Sequence, residues 1–361
     1  MKDMTKYIRC RSKLTHTAEA LQRGKITIGY IGGSITEPEH GKRWSDKVTD
    51  WFVSEHPGLI VNEENAALGA TGSLSHVFRM DEDILPCGCD LVFVETVVND
   101  GPDAYGACRE GILRKLLRAG TCDVVLVYAY GWGMFDDFSA GKLPAGALDY
   151  EELGDHYRLS SVSSGLYAFD RVAAGAMRWE EWLPDTLHPE HAGSRVYAEP
   201  IIELLERAAA DETLPEAPAG LPEPLHTDCW EHTCMLPWDQ IERHGPWRLV
   251  RHRRMPTVDY MLYTASPKAS VSFSFEGRGL LIRIYMHINM AGFRFRIDGG
   301  EWETRETGPF PNWMQASNAW PSQDLLASNL PTGLHRVEIA CAPKEGSHGS
   351  NLYICTVGII Q

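Results

Sequence analysis

ITIGYIGGSIT, residues 26–36, is an apolar run that ends in a glycine pair, a serine and a threonine. The run ITIGYI has strand length and no charge, as in a strand buried on both faces. GGSIT then falls at the carboxyl end of that strand. Three roles compete for such a turn. A phosphate cradle would need G-x-G-x-x-G, or a Lys-Ser or Lys-Thr pair after its glycines, and GYIGGSIT has neither. A structural turn would use glycine for its tight backbone and Ser34 or Thr36 to cap the next helix. A nucleophile would be Ser34, placed where open parallel sheets carry their sites. This last role needs a base, an orienting acid and oxyanion donors elsewhere in the chain.

Outward from this stretch, short apolar runs alternate with helical segments. LIVNEENA, DLVFVETVV and CDVVLVYAY read as further strands. WSDKVTDWFVSEH, SLSHVFRMDEDIL and AYGACREGILRKLLRAG lie between them, and the last can align Ile112, Leu113, Leu116 and Leu117 in one stripe. This alternation predicts a parallel sheet with helices on both faces. A fifth strand is expected within SSVSSGLYAF, and PIIELLERAAA reads as a closing helix. DETLPEAPAGLPEPLH is Pro-rich and acidic, the composition of a linker. Beyond it ASVSFSFEG, LLIRIYMHI, FRFRIDG, HRVEIAC and LYICTVGII alternate or run apolar at strand length, with Gly and Pro between them. The expected organisation is an N-terminal segment 1–24, an α/β domain 25–212, a linker 213–224 and an all-β sandwich-like domain 225–361.

Bulk properties narrow the function classes. The 361 residues carry a net charge of -15, which disfavours an extended nucleic-acid surface. Apolar residues make up 43% and charged residues 23%, as in a globular protein. The nine cysteines are scattered and odd in number, a poor basis for a disulfide framework. The N-terminus lacks the apolar core of a signal peptide, and no apolar run is long enough to span a membrane. A cytoplasmic location is expected.

The partners that Ser34 would need can be sought at other strand ends. LPDTLHPEHAG holds Asp185 and His188 three apart, a spacing that can set both side chains on one side of a tight turn. Pro184 and Pro189 place the pair in a loop. NAALGATGS puts Gly69 after one strand, and ETVVND puts Asn99 after another. A glycine N–H can approach a ligand closely, and an Asn amide is a neutral donor for developing oxyanion charge. Each has a plainer alternative, Gly69 as a turn and Asn99 as a cap.

Taken together, these blocks resemble the SGNH hydrolase superfamily, also called GDSL-like lipases and esterases. GGSIT resembles its first block, with Gly33 where Asp is more usual. NAALGATGS resembles the second, VFVETVVND the third and DTLHPEHAG the last. The resemblance covers about 25–210. It implies a three-layer, flavodoxin-like domain, with Ser34 as nucleophile, His188 as base and Asp185 as orienting acid. It implies an oxyanion hole from the Ser34 N–H, the Gly69 N–H and the Asn99 side chain. The implied reaction is acyl transfer through an acyl-enzyme, with no metal or organic cofactor. An acyl ester of a small molecule or glycan is the expected substrate, and a short-acyl or carbohydrate O-acetyl esterase the preferred activity. A lipid esterase or thioesterase is the alternative, and an inactive carbohydrate-binding or scaffolding protein a third. The β domain could bind glycan, shape the cleft or support a homo-oligomer.

Other residues invite roles. Tyr130, Trp132 and Phe135 in AYGWGMFDD are candidates to line the substrate site. Asp100 beside Asn99 is expected to be structural. His226, Cys229, His232 and Cys234 hold ligand chemistry for zinc, but their spacing matches no standard site and ordinary packing is preferred. The CGC at 87–89 is a poor redox motif. The basic stretch RLVRHRRM, 248–255, reads as surface or an ion-pair patch. Trp313 and Trp320 would suit a glycan platform if exposed.

Overall fold

The computed structural model describes residues 3–39, 41–100, 106–218, 220–251, 260–286, 290–306, 320–343 and 351–361. The chain divides into two compact units, Met1–Glu231 and His232–Gln361.

The strands of the first unit are β1 (Ile8–Arg9), β2 (Lys25–Gly32), β3 (Ile60–Asn65), β4 (Leu91–Glu95), β5 (Asp123–Val127) and β6 (Ser160–Val162). They lie in the order β1-β6-β5-β4-β2-β3. All are parallel except β1, which pairs antiparallel with β6 at the edge. The helices are α1 (Thr15–Arg23), α2 (Trp44–Glu55), α3 (Ser73–Asp83), α4 (Gly106–Ala119), α5 (Phe135–Ser139), α6 (Ala145–Tyr157), α7 (Ser164–Ala173), α8 (Trp179–Trp182) and α9 (His191–Ala210). β4 and β5 are buried at every residue and β2 at all but Lys25, which explains their unbroken apolar runs.

The chain steps from β2 to β3 in one direction, then back across β2 to β4. Right-handed crossovers therefore put α2 and α3 on opposite faces of the sheet. α3 packs on α4 and α4 on α6, while α2, α7 and α8 pack on α9. The strand order reverses between β2 and β4. Loops leaving the carboxyl ends of those strands splay apart and open a crevice, the usual place for a site in such sheets. Ser34 follows β2 and Asn99 follows β4.

Two expected boundaries move. Residues 1–24 are not a separate segment: β1 adds a strand to the sheet and α1 packs on β2 and β5. A two-residue strand is too short to show periodicity. Residues 213–231 also stay with the first unit. The Lys13 N–H donates to the Pro215 carbonyl at 3.0 Å, and the Leu225 and His226 N–H groups donate to Glu110 at 2.7 Å. Glu110 is fully buried, and a carboxylate there must be met by donors.

In the second unit, β7 (Thr233–Met235), β9 (Arg248–Val250), β10 (Met261–Thr264), β12 (Gly279–Met286), β15 (Trp320–Ala327) and β17 (Leu352–Ile360) form one antiparallel sheet. The other holds β8 (Glu242–His244), β11 (Ser270–Gly277), β13 (Gly292–Ile297), β14 (Glu303–Arg305) and β16 (Gly333–Ala342). Alternate residues such as Phe273, Phe293 and Val337 of one sheet share a core with Ile282, Ile354 and Val357 of the other, which makes the expected sandwich. Trp313 and part of 248–255 lie outside the described residues.

Candidate active site

GGSIT forms a turn rather than the start of a helix. The Thr36 and Glu37 N–H groups both donate to the Gly33 carbonyl, at 3.0 and 2.9 Å. Neither Gly32 nor Gly33 takes a positive φ, so space rather than backbone conformation governs both positions. A Cβ on Gly32 would lie 2.7 Å from the Glu95 carbonyl oxygen and from Thr36 Oγ1. A Cβ on Gly33 would collide with Asn99 Nδ2. The amide of Asn99 thus fills the space that a side chain at position 33 would take. Gly33→Ala should push it aside and lower kcat on a turned-over ester by about 100-fold, the cost of one oxyanion donor. Steady-state kinetics with a melting control checks this; an unchanged kcat would take Asn99 out of the site.

Ser34 Oγ lies 2.7 Å from His188 Nε2, placed for the hydroxyl to donate. His188 Nδ1 lies 2.6 Å from Asp185 Oδ2. The other Asp185 oxygen accepts the Leu187 and His188 N–H groups at 3.0 and 2.6 Å. Burial would raise the Asp185 carboxyl, but the His188 and Leu187 donors outweigh it and hold it below the usual range. The two residues sit in the loop between α8 and α9, as the flanking prolines imply. Thr186 between them takes φ 73°, a costly conformation for a β-branched residue. The Trp132 indole N–H donates to the Thr186 carbonyl at 3.2 Å, and the Arg43 guanidinium donates to the Pro189 carbonyl at 2.9 Å. The loop is thus braced on both sides of His188.

The loop that carries Asn99 is fixed through Asp100. Asp100 accepts the Ser73 N–H at 2.7 Å, Thr96 Oγ1–H at 3.0 Å and Arg109 Nε–H at 2.9 Å. It ties the loop after β4 to α3 and α4, the structural role expected of it. The Asn99 side chain has no partner among the described residues. Gly69 differs from the expectation: its N–H donates to Glu37 Oε2 at 3.1 Å.

Two supports went unnoticed in the sequence. His76, buried in α3, lies with Nε2 3.0 Å from the Gly32 carbonyl. Glu95, fully buried at the end of β4, accepts Thr36 Oγ1–H at 2.9 Å. Its position in the apolar run LVFVE was the available signal. Burial pushes its carboxyl up to about 8, against the pull of the Thr36 hydroxyl and the Gly33 and Val98 N–H groups. The folded protein therefore holds a proton there between about 4.5 and about 8 that the unfolded chain releases. This contribution is complete below the lower value. It falls as pH rises, by ~1.4 kcal/mol per unit, until the upper value is passed. Glu95→Gln should remove the loss, so its Tm should gain on the wild type as pH rises through that window. A constant difference in Tm would contradict this.

The aromatic candidates separate. Trp132 is 70% exposed and Phe135 is 52% exposed. Tyr130 is only 5% exposed and packs on Phe138, Trp179 and Trp182. It belongs to the core, because the side chains of α5 and α8 close over it, and it does not line an open site. The His/Cys cluster is divided between the two units. His226 Nδ1 lies 2.8 Å from Glu110, whereas Cys234 lies in β7 paired with β17. Among the described residues no group of three or more His, Cys, Asp and Glu is arranged to hold a metal, and no helix is long and apolar enough to cross a membrane.

The chain shares its two-domain fold with solved esterase structures. A two-domain esterase (CEX) active on acetylated mannans superposes with a TM-score of 0.86 at 20% identity, over 99% of this chain and 98% of its own. The same esterase co-crystallized with mannopentaose gives 0.84 at 20% identity, over 99% and 97%. No family profile and no curated protein matches the chain.

Proposed function

We propose that this protein is a serine ester hydrolase that removes acetyl or another short acyl group from a carbohydrate. The observation that carries the reading is the hydrogen-bond chain from Ser34 through His188 to Asp185, beside an Asn99 amide that has no partner among the described residues. An inactive scaffold has no need of that alignment. The sugar ester is favoured by the likeness to an esterase active on acetylated mannans and by the exposed Trp132 indole beside the His188 loop.

In this reading Ser34 Oγ attacks the ester carbonyl while His188 Nε2 takes its proton. Asp185 keeps the proton on Nδ1 and steadies the imidazolium. Charge gathering on the carbonyl oxygen meets the Ser34 N–H, the Asn99 amide and, once it is released, the Gly69 N–H. His188 then protonates the leaving alcohol. Water activated by the same ring releases the acid and restores Ser34. Cys10, Cys87, Cys89, Cys108 and Cys122 carry free thiols, which suits the reducing cytoplasm we assign.

The test is an ester panel of acetylated sugars, p-nitrophenyl esters and thioesters, with Ser34→Ala as blank. Ser34-dependent turnover of an acetylated sugar is the expected result. Glycan binding without any Ser34-dependent turnover would replace the reading with a scaffold.

A further inference from the structure

The Gly69 N–H is committed to a carboxylate of the same chain. Glu37 follows Ser34 by three residues, and the turn carries its side chain back toward the loop after β3. There Oε2 accepts the Gly69 N–H at 3.1 Å. The second oxygen has no partner among the described residues and is not sealed from solvent. The two arginines that favour its charge, Arg43 and Arg79, make their ion pairs with other carboxylates. Arg43 pairs with Glu39 and binds the Pro189 carbonyl, and Arg79 pairs with Asp83. Burial raises the Glu37 carboxyl above its ordinary value, while the Gly69 N–H and Arg43 favour its charged form.

This arrangement conflicts with a simple three-donor oxyanion hole. A carboxylate and a developing oxyanion cannot share one N–H, because two anions within hydrogen-bond distance repel strongly in a part-buried site. Glu37 must leave Gly69 before that donor can serve. It will leave only when another donor meets it. A sugar ester brings such a donor, the free hydroxyl on the carbon beside the acylated one. An O–H···O⁻ bond to a carboxylate is stronger than a neutral one and can replace the backbone N–H.

We propose that Glu37 is a specificity-determining residue that reads a free hydroxyl next to the ester. In the resting site it occupies the Gly69 N–H; on binding a polyol ester it transfers to the substrate hydroxyl and releases that N–H to the oxyanion. Simple esters without such a hydroxyl leave the donor occupied and react with an incomplete oxyanion hole. The step exchanges hydrogen bonds only, and the covalent chemistry remains that of Ser34. The inference rests on the esterase reading above and adds the substrate feature that the site demands.

The experiment compares three substrates: an acetyl ester of a sugar with its neighbouring hydroxyl free, the same ester with that hydroxyl O-methylated, and p-nitrophenyl acetate. Each is measured as kcat/KM with the wild type, Glu37→Gln, Glu37→Ala and Ser34→Ala. The wild type should prefer the free-hydroxyl ester over its O-methyl analogue by about tenfold or more, the discrimination of one charged hydrogen bond. Glu37→Ala should erase that preference and raise turnover of p-nitrophenyl acetate several-fold by freeing Gly69. Glu37→Gln, without the charge, should fall between. An equal loss on all three substrates, or an undiminished preference in Glu37→Ala, would overturn the proposal. Equal turnover by wild type and Ser34→Ala would instead overturn the esterase reading beneath it.

Discussion

Ser34→Ala should lower kcat for the best ester substrate by about 10⁶-fold, as expected when the nucleophile of a working triad is removed. The loss is large because no described hydroxyl stands in the same relation to His188 Nε2, 2.7 Å from Ser34 Oγ. Binding should survive, since the Asn99 amide and the surrounding surface remain. The fold should survive as well: among the described residues the Ser34 hydroxyl bonds His188 alone, and the turn is held by Thr36, Glu95 and His76. Single-turnover kinetics with a melting control separates the two effects. Residual activity within tenfold of the wild type would mean that Ser34 is not the nucleophile.

Asp185→Asn should lower kcat by up to about 10⁴-fold with a smaller change in KM, the pattern of a wrong imidazole tautomer. Asp185 accepts three donors, from the Leu187 and His188 backbones and the His188 ring. An Asn there can keep the backbone bonds through its oxygen, but it then turns an N–H toward His188 Nδ1. The ring must accept at Nδ1 and carry its proton on Nε2, where it can no longer take one from Ser34. An unchanged kcat would remove Asp185 from the orienting role.

Much of this was legible in the sequence, for identifiable reasons. β2, β4 and β5 are buried on both faces, so they stand out as unbroken apolar runs. β6 is only Ser160–Val162 and β1 only Ile8–Arg9, too short for either period to register. Ser34, Gly69 and Asn99 could be picked out because each follows a strand of the parallel sheet, and Asp185 and His188 because their three-residue spacing is local. Their mutual commitments could not. The residue before Ser34 read as a missing side chain, whereas the space is taken by the amide of Asn99. Gly69 read as a free donor, but Glu37 meets it from another loop. Glu95, within the apolar run LVFVE, is a buried acid under the nucleophile turn. Such pairings join residues far apart in sequence, and no local pattern encodes them.

The most direct measurement is covalent labelling with a fluorophosphonate, which phosphonylates an activated serine, followed by peptide mapping. The expected result is a single adduct on Ser34, formed slowly in His188→Ala and absent in Ser34→Ala. An adduct elsewhere, or labelling of Ser34→Ala at the wild-type rate, would contradict the assignment of Ser34 as the activated nucleophile.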